Sequence, residues 1–85
     1  MTAIPVRIMV QEVWDQVELE LQPSASVAEV KERALALTHA PGRPEEFQVK
    51  FRGALVLDEK RSLAEAGVGP RSSLIVLSRR RRPVR

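Results

Sequence analysis

Residues 17–42 read VELELQPSASVAEVKERALALTHAPG, and the reading of this stretch decides the fold. Val17, Leu19 and Leu21 alternate with Glu18, Glu20 and Gln22, the period of two that marks a strand with one buried and one wet face. Pro23 ends that strand, because proline has no N–H to give to a ladder. Ser26 followed by Glu29 has the spacing of a capping box, in which each side chain accepts from a free backbone N–H at the start of a helix. Val27, Val30, Ala34 and Leu37 then recur on one face at helical spacing, while Glu29, Lys31, Glu32 and Arg33 are expected on the solvated side. His39-Ala40-Pro41-Gly42 stops the helix. His39 at that end is expected to interact with the last carbonyls rather than to ligate or catalyse.

The same signals continue in both directions. Upstream, Val6, Ile8 and Val10 alternate with Arg7, Met9 and Gln11, and the short link Glu12–Gln16 suits a hairpin between two antiparallel strands. Downstream, Phe47, Val49 and Phe51 alternate with Gln48, Lys50 and Arg52, and Gly53 permits a sharp bend. Leu55, Val56 and Leu57 predict a brief edge strand. Ser62 with Glu65 repeats the capping-box spacing, so Leu63–Ala66 is expected as a single helical turn closed by Gly67. After a Gly69-Pro70 turn, Leu74 and Val76 alternate with Ile75 and Leu77 in a last strand. One amphipathic helix buries its stripe only against a sheet. The expected class is therefore α+β, a two-layer domain with a sheet packed on one main helix. Its core is expected from Val6, Ile8, Val17, Leu19, Val27, Val30, Leu37, Val49, Leu63, Leu74 and Val76.

Eighty-five residues are enough for one domain with one compact core. Hydrophobic residues make up 44% and aromatics only 4%, so aliphatic side chains must do the packing. The chain has no cysteine and one histidine, which removes disulfides, thiolate chemistry and Cys-based metal sites. No Gly-rich phosphate loop and no nucleophile–base motif occur, so no catalytic, cofactor-binding or metal-ligating residue is expected, and no enzymatic activity. The apolar runs fall far short of the ~20 residues that cross a bilayer, and the start lacks a secretory pattern. The expectation is a soluble, cytoplasmic protein. The net charge of +3 is unevenly spread. Arg79, Arg80, Arg81, Arg82 and Arg85 sit in the last seven residues without an acid, leaving nine basic against eleven acidic residues before them. This divides the chain into a mildly acidic domain, 1–78, and a flexible arginine-rich tail, 79–85, a distribution unlike a DNA-binding domain with one basic face.

The ordered set of elements resembles the ubiquitin-like β-grasp family over about residues 5–79. Pro23-Ser24-Ala25-Ser26-Val27-Ala28-Glu29-Val30-Lys31 is similar to the end of ubiquitin's second strand and the start of its helix. Phe51-Arg52-Gly53 resembles the turn after the third strand. Leu63-Ala64-Glu65-Ala66-Gly67-Val68, followed by Ser72-Ser73-Leu74-Ile75-Val76-Leu77, resembles the helical turn and last strand. The resemblance implies an α+β, ubiquitin-like β-grasp fold with a mixed four- to five-stranded sheet packed on one main helix, and a protein-interaction role, but this sequence departs from it at two places. Conjugated members end in a diglycine that threads a narrow enzyme channel, whereas here the corresponding stretch is Arg79-Arg80-Arg81-Arg82-Pro83-Val84-Arg85. No two glycines are adjacent anywhere in the chain. Neither conjugation nor sulfur carriage is expected. The second departure is in the family's apolar sheet patch. Lys50 takes the third-strand position, Leu77 the last-strand position with Ile75 beside it, and Val13 and Trp14 the hairpin tip.

These residues are the expected protein-binding set: Val13, Trp14, Lys50, Ile75 and Leu77, with Met9 on the same outer face. A tryptophan at an exposed tip either folds back on its own hairpin or anchors a partner. Several aliphatics together on neighbouring strands form a patch that a single exposed aliphatic does not. The arginine tail is expected to attract an acidic protein surface. Nucleic acid and anionic membrane are less favoured, because no aromatic is interleaved for base stacking. The leading reading is a monomeric adaptor that binds another protein non-covalently. The alternative is a small accessory subunit of a bacterial machine, since the segment Leu63–Val68 is equally similar to diglycine-free β-grasp proteins of type VII secretion systems and multicomponent monooxygenases. The abundance of Ala, Arg, Val and Pro fits a GC-rich bacterial genome.

Overall fold

The computed structural model describes residues 3–78. The expected arginine tail, 79–85, lies outside the described residues. β1 (Ile4–Val10) runs antiparallel to β2 (Asp15–Leu21), with Val6 opposite Leu19 and Ile8 opposite Val17. The alternation of β1 begins two residues earlier than expected, so Ile4 also joins the core. The connection is a 3-10 turn, Gln11–Val13, closed by Trp14 in the left-handed region at φ 53°, where its N–H donates to the Gln11 carbonyl at 3.2 Å.

α1 (Val27–Thr38) crosses one face of the sheet. The Ser26 hydroxyl accepts from the Glu29 N–H at 3.1 Å, but the Glu29 carboxylate pairs with Arg33 one turn on, so only half of the expected box forms. The helix ends with His39 at φ 55°, whose backbone N–H reaches the Ala36 carbonyl at 3.3 Å. The final carbonyls are thus satisfied through the histidine's main chain, in a position that glycine usually takes. Two expectations about this helix are corrected. Leu37 is 55% exposed, and Leu35 is buried in its place. Lys31, expected in solvent, is 4% exposed. The buried stripe is Val27, Val30, Lys31, Ala34, Leu35 and Thr38. At 3.6 residues per turn Leu37 lies about 90° from the centre of that stripe. The Lys31 ammonium donates to the Phe47 carbonyl at 3.0 Å and to the Glu59 carboxylate at 2.6 Å, which satisfies the charge that burial would otherwise penalise.

A second 3-10 turn, Pro44–Glu46, leads into β3 (Phe47–Phe51). Arg52 at φ 56° and Gly53 at φ 80° form a two-residue hairpin loop into β4 (Ala54–Leu55), and both positive angles are what a type I′ turn demands. β4 therefore ends before the expected Val56 and Leu57, and Leu57 is 90% exposed. α2 (Leu63–Ala66) carries the full capping box, with Ser62 and Glu65 each accepting from the other's N–H at 3.1 Å. β5 (Ser72–Ser78) enters the middle of the sheet, parallel to β1 and antiparallel to β3. The strand order is β2-β1-β5-β3-β4. The α+β expectation holds in full: one main helix on a mixed five-stranded sheet.

The core between the layers contains the expected Val6, Ile8, Val27, Val30, Val49, Leu63, Leu74 and Val76, together with Val10, Leu21, Ala34, Phe47 and Val68. Val17 and Leu19 pack against it but stay half-buried. β2 is an edge strand, so these two have sheet neighbours on one side only.

Candidate protein-binding surface

With the even positions of β1 turned to the helix, its odd positions face outward. The same parity places Gln16, Glu18 and Glu20 of β2, Gln48 and Lys50 of β3, and Ser73, Ile75 and Leu77 of β5 on the outer face. The ladder registers then join residues that the sequence keeps far apart. Met9 lies opposite Ile75, Ile75 opposite Lys50, and Lys50 opposite Leu55. Leu77 lies opposite Gln48. The result is a lateral row, Met9–Ile75–Lys50–Leu55, crossing four strands, with Leu77 one step along β5. Ile75 is 36% exposed and Leu55 is 42% exposed, while Met9, Lys50 and Leu77 are half-buried. Adjacent residues on one sheet face are about 5 Å apart between strands, so the row is continuous and not a scatter of isolated aliphatics.

The hairpin tip flanks this row. Val10 pairs with Val76, which carries the 3-10 turn past the C-terminal half of β5. Of the two tip residues expected to bind, Trp14 is 78% exposed, so it does not fold back on its hairpin. Val13 is half-buried and packs against the core, which makes it a support for the tip more than a contact. The structure thus brings Lys50, Ile75 and Leu77 together, with Trp14 at the margin. The tail arginines Arg79, Arg80, Arg81, Arg82 and Arg85 follow β5 and lie outside the described residues.

The sequence reading missed Leu55. Only the β3–β4 register sets it beside Lys50, and the Arg52-Gly53 turn was the available signal for that register. It also missed an open groove of about 510 Å³ at the start of β5, lined by Lys50, Arg52, Arg71, Ser73 and Ile75. Among the described residues, no group of three or more His, Asp or Glu is placed to hold a metal ion. No helix among them is long and apolar enough to cross a membrane.

Neither a family model nor a curated protein matches this sequence. Solved structures do match its shape. The ubiquitin-like domain of an Arabidopsis thaliana protein superposes with a TM-score of 0.79 at 19% identity, over 100% of this chain and 86% of that one. The ubiquitin of Caldiarchaeum subterraneum gives 0.77 at 20% identity, over 95% and 99%. The fold is ubiquitin-like. A de novo design based on ubiquitin gives 0.79 at 19% identity, over 99% and 98%. At such identities the likeness is one of fold, and ubiquitin-like folds carry many different surfaces. The surface of this one must be argued from its own residues.

Proposed function

We propose that this chain is a non-conjugated ubiquitin-like interaction module that binds another protein through its outer sheet face. The observation that carries the reading is the row Met9–Ile75–Lys50–Leu55 with Leu77 beside it. The core on the other face is complete without these side chains. They lie on strands whose outward positions could all be polar, as Gln16, Glu18 and Glu20 are on β2. Fully burying a Leu or Ile side chain contributes about 1.5–3 kcal/mol, so two or three of them anchor a contact of moderate affinity once ordering costs are met. Lys50 in the centre raises the cost of covering the face with a purely apolar partner and favours one with an acid beside an apolar groove. No two glycines are adjacent in the 85 residues, which supports the non-conjugated reading. The module acts in the cytoplasm, is monomeric alone, and uses tail residues 79–85 to speed encounter with an acidic partner.

The test is Leu77→Asp against the partner that co-purifies with the unmodified chain. The substitution is expected to abolish binding at every salt concentration while leaving a cooperatively unfolding domain, somewhat less stable because Asp is disfavoured in a central strand. Unaltered binding would refute the sheet-face reading.

A stoichiometric-subunit reading is favoured by one specific feature. Leu57, two residues past Leu55 and 90% exposed, is not part of the outer-face row, so a contact confined to that row covers Leu55 and leaves Leu57 in water. A fixed complex would bury both. Gel filtration of the natively purified protein separates the two readings, since a subunit elutes with its partner after dilution and an adaptor elutes alone.

A further inference from the structure

At the start of β5, Lys50, Arg52, Arg71, Ser73 and Ile75 line an open groove of about 510 Å³, and no carboxylate lines it. None of the three cations makes an ion pair with a described residue. Both arginines are held by their backbones. Arg52 occupies the first position of the two-residue hairpin loop at φ 56°, and its guanidinium lies 5.2 Å from the centre of the Phe51 ring. Arg71 stands at φ 65°, with its N–H donating to the Pro5 carbonyl at 2.6 Å. Glycine and asparagine take such angles more readily than arginine, so local folding alone does not call for these residues. Cations gathered without a counter-charge on a pre-set frame form a field that an oxyanion satisfies, at little ordering cost.

Resting on the sheet-face reading, we infer that this groove takes the oxyanions of an acidic peptide segment of the partner, a cluster of carboxylates or a phosphoryl group, while an apolar side chain of the same segment lies on Ile75 and Leu77. Ile75 lines the groove and also belongs to the apolar row. Successive outward positions on β5 are about 7 Å apart, so an extended ligand sets its acid and its apolar anchor two residues apart. Nucleic acid fits less well, because the one aromatic at the groove, Phe51, is half-buried beneath Arg52 and offers no stacking surface. An anionic bilayer fits less well, because Glu18 and Glu20 share the outer face and would be pressed against lipid phosphates. The groove lies at the start of β5, about 20 Å of strand from Ser78.

The experiment titrates the full chain with three synthetic peptides at ~0.15 M salt: one with three glutamates followed, after one residue, by leucine; one with phosphoserine in place of the last glutamate; and one with all glutamates replaced by glutamine. Amide chemical shifts and calorimetry are the readouts. Either acidic peptide, but not the glutamine peptide, is expected to bind and to shift Gly53, Ser73 and Ile75. Which acidic peptide binds more tightly identifies the source of the oxyanion. The double variant Arg52→Gln/Arg71→Gln is expected to weaken binding about tenfold or more, with Lys60→Gln within about twofold as the charge control. A chain ending at Ser78 is expected to keep the site. If the double variant binds normally while Leu77→Asp does not, the groove is refuted and the sheet face stands. If neither variant alters binding, both are refuted. Equal binding of the glutamine peptide, no binding of either acidic peptide, or tighter competition at the same amides by an oligouridine RNA or by phosphatidylserine vesicles overturns the inference.

Discussion

At the residue scale, the helix face shows how an alternation or a stripe is read correctly and still misplaces single side chains. Leu35 and Leu37 have the same side chain and lie two residues apart, yet one is 6% and the other 55% exposed. Leu35→Ala is therefore expected to cost about 2–4 kcal/mol through lost burial and a residual cavity. Leu37→Ala should stay below about 0.5 kcal/mol. Chemical denaturation of both variants measures the difference. Lys31 carries the sharper prediction. Its ammonium is shared between the Phe47 carbonyl and the Glu59 carboxylate, with side-chain exposures of 5% and 15% for the ion pair. Lys31→Met removes the donor from both acceptors while leaving the Glu59 charge in place, at a cost of about 3 kcal/mol. Adding Glu59→Met should recover a large part of that loss, because the pair is then replaced by apolar atoms of similar reach. A double variant as unstable as Lys31→Met alone would show that the loss comes from packing and not from charge. Nothing in the sequence marks Lys31 as different from Glu32 or Arg33. Its partner lies 28 positions away, and only the fold brings the two together.

At the scale of elements, the units were legible because each has a local physical signature: period two for the strands, cap residues for both helices, and positive-φ positions at the turns. What was not legible is what depends on neighbours. Sequence spacing assigned Leu55, Val56 and Leu57 to a strand, but the two-residue loop at Arg52-Gly53 sets the pairing at Ala54–Leu55 and leaves Leu57 in water. The β1–β2 tip is similar. The shortness of the link Glu12–Gln16 indicates a hairpin, but nothing in it signals that Trp14, which closes the 3-10 turn, adopts φ 53° with 78% of its surface exposed. A bulky residue in the left-handed region carries a penalty of roughly 1–2 kcal/mol, which asparagine largely avoids. A side chain so exposed contributes little packing to offset it. Trp14→Asn is therefore expected to leave stability unchanged or raise it by up to about 1 kcal/mol, while weakening partner binding if the tip is part of the contact. Thermal unfolding and binding measured on the same variant decide the matter. A clear loss of stability would mean that the indole supports the hairpin and that its exposure has no bearing on recognition.

For the molecule as a whole, the distribution of charge matters more than its sum. The residues up to Ser78 carry a net −2, and the five arginines beyond them bring the chain to +3. The apolar row, by contrast, gains little from long-range fields, because its contribution is the removal of aliphatic surface from water. On the proposed reading rate and specificity are separable, and a chain ending at Ser78 tests the separation. Its thermal stability is expected to match that of the full chain, since the core is complete within the described residues. Its association with an acidic partner should slow by roughly tenfold at low salt, where the tail attracts the partner from a distance. The dissociation rate should change little if, as proposed, the contacts that hold the complex lie on Ile75, Leu77 and their neighbours. As salt rises and the Debye length falls to a few ångströms, the association rates of the two chains should converge. Stopped-flow association and dissociation measured across a salt series give both quantities. Convergence at high salt with equal dissociation rates is the signature of a steering tail on a specific face. A truncated chain that dissociates much faster at all salt concentrations would instead make the arginines part of the bound interface itself, and the sheet face only the platform from which they reach it.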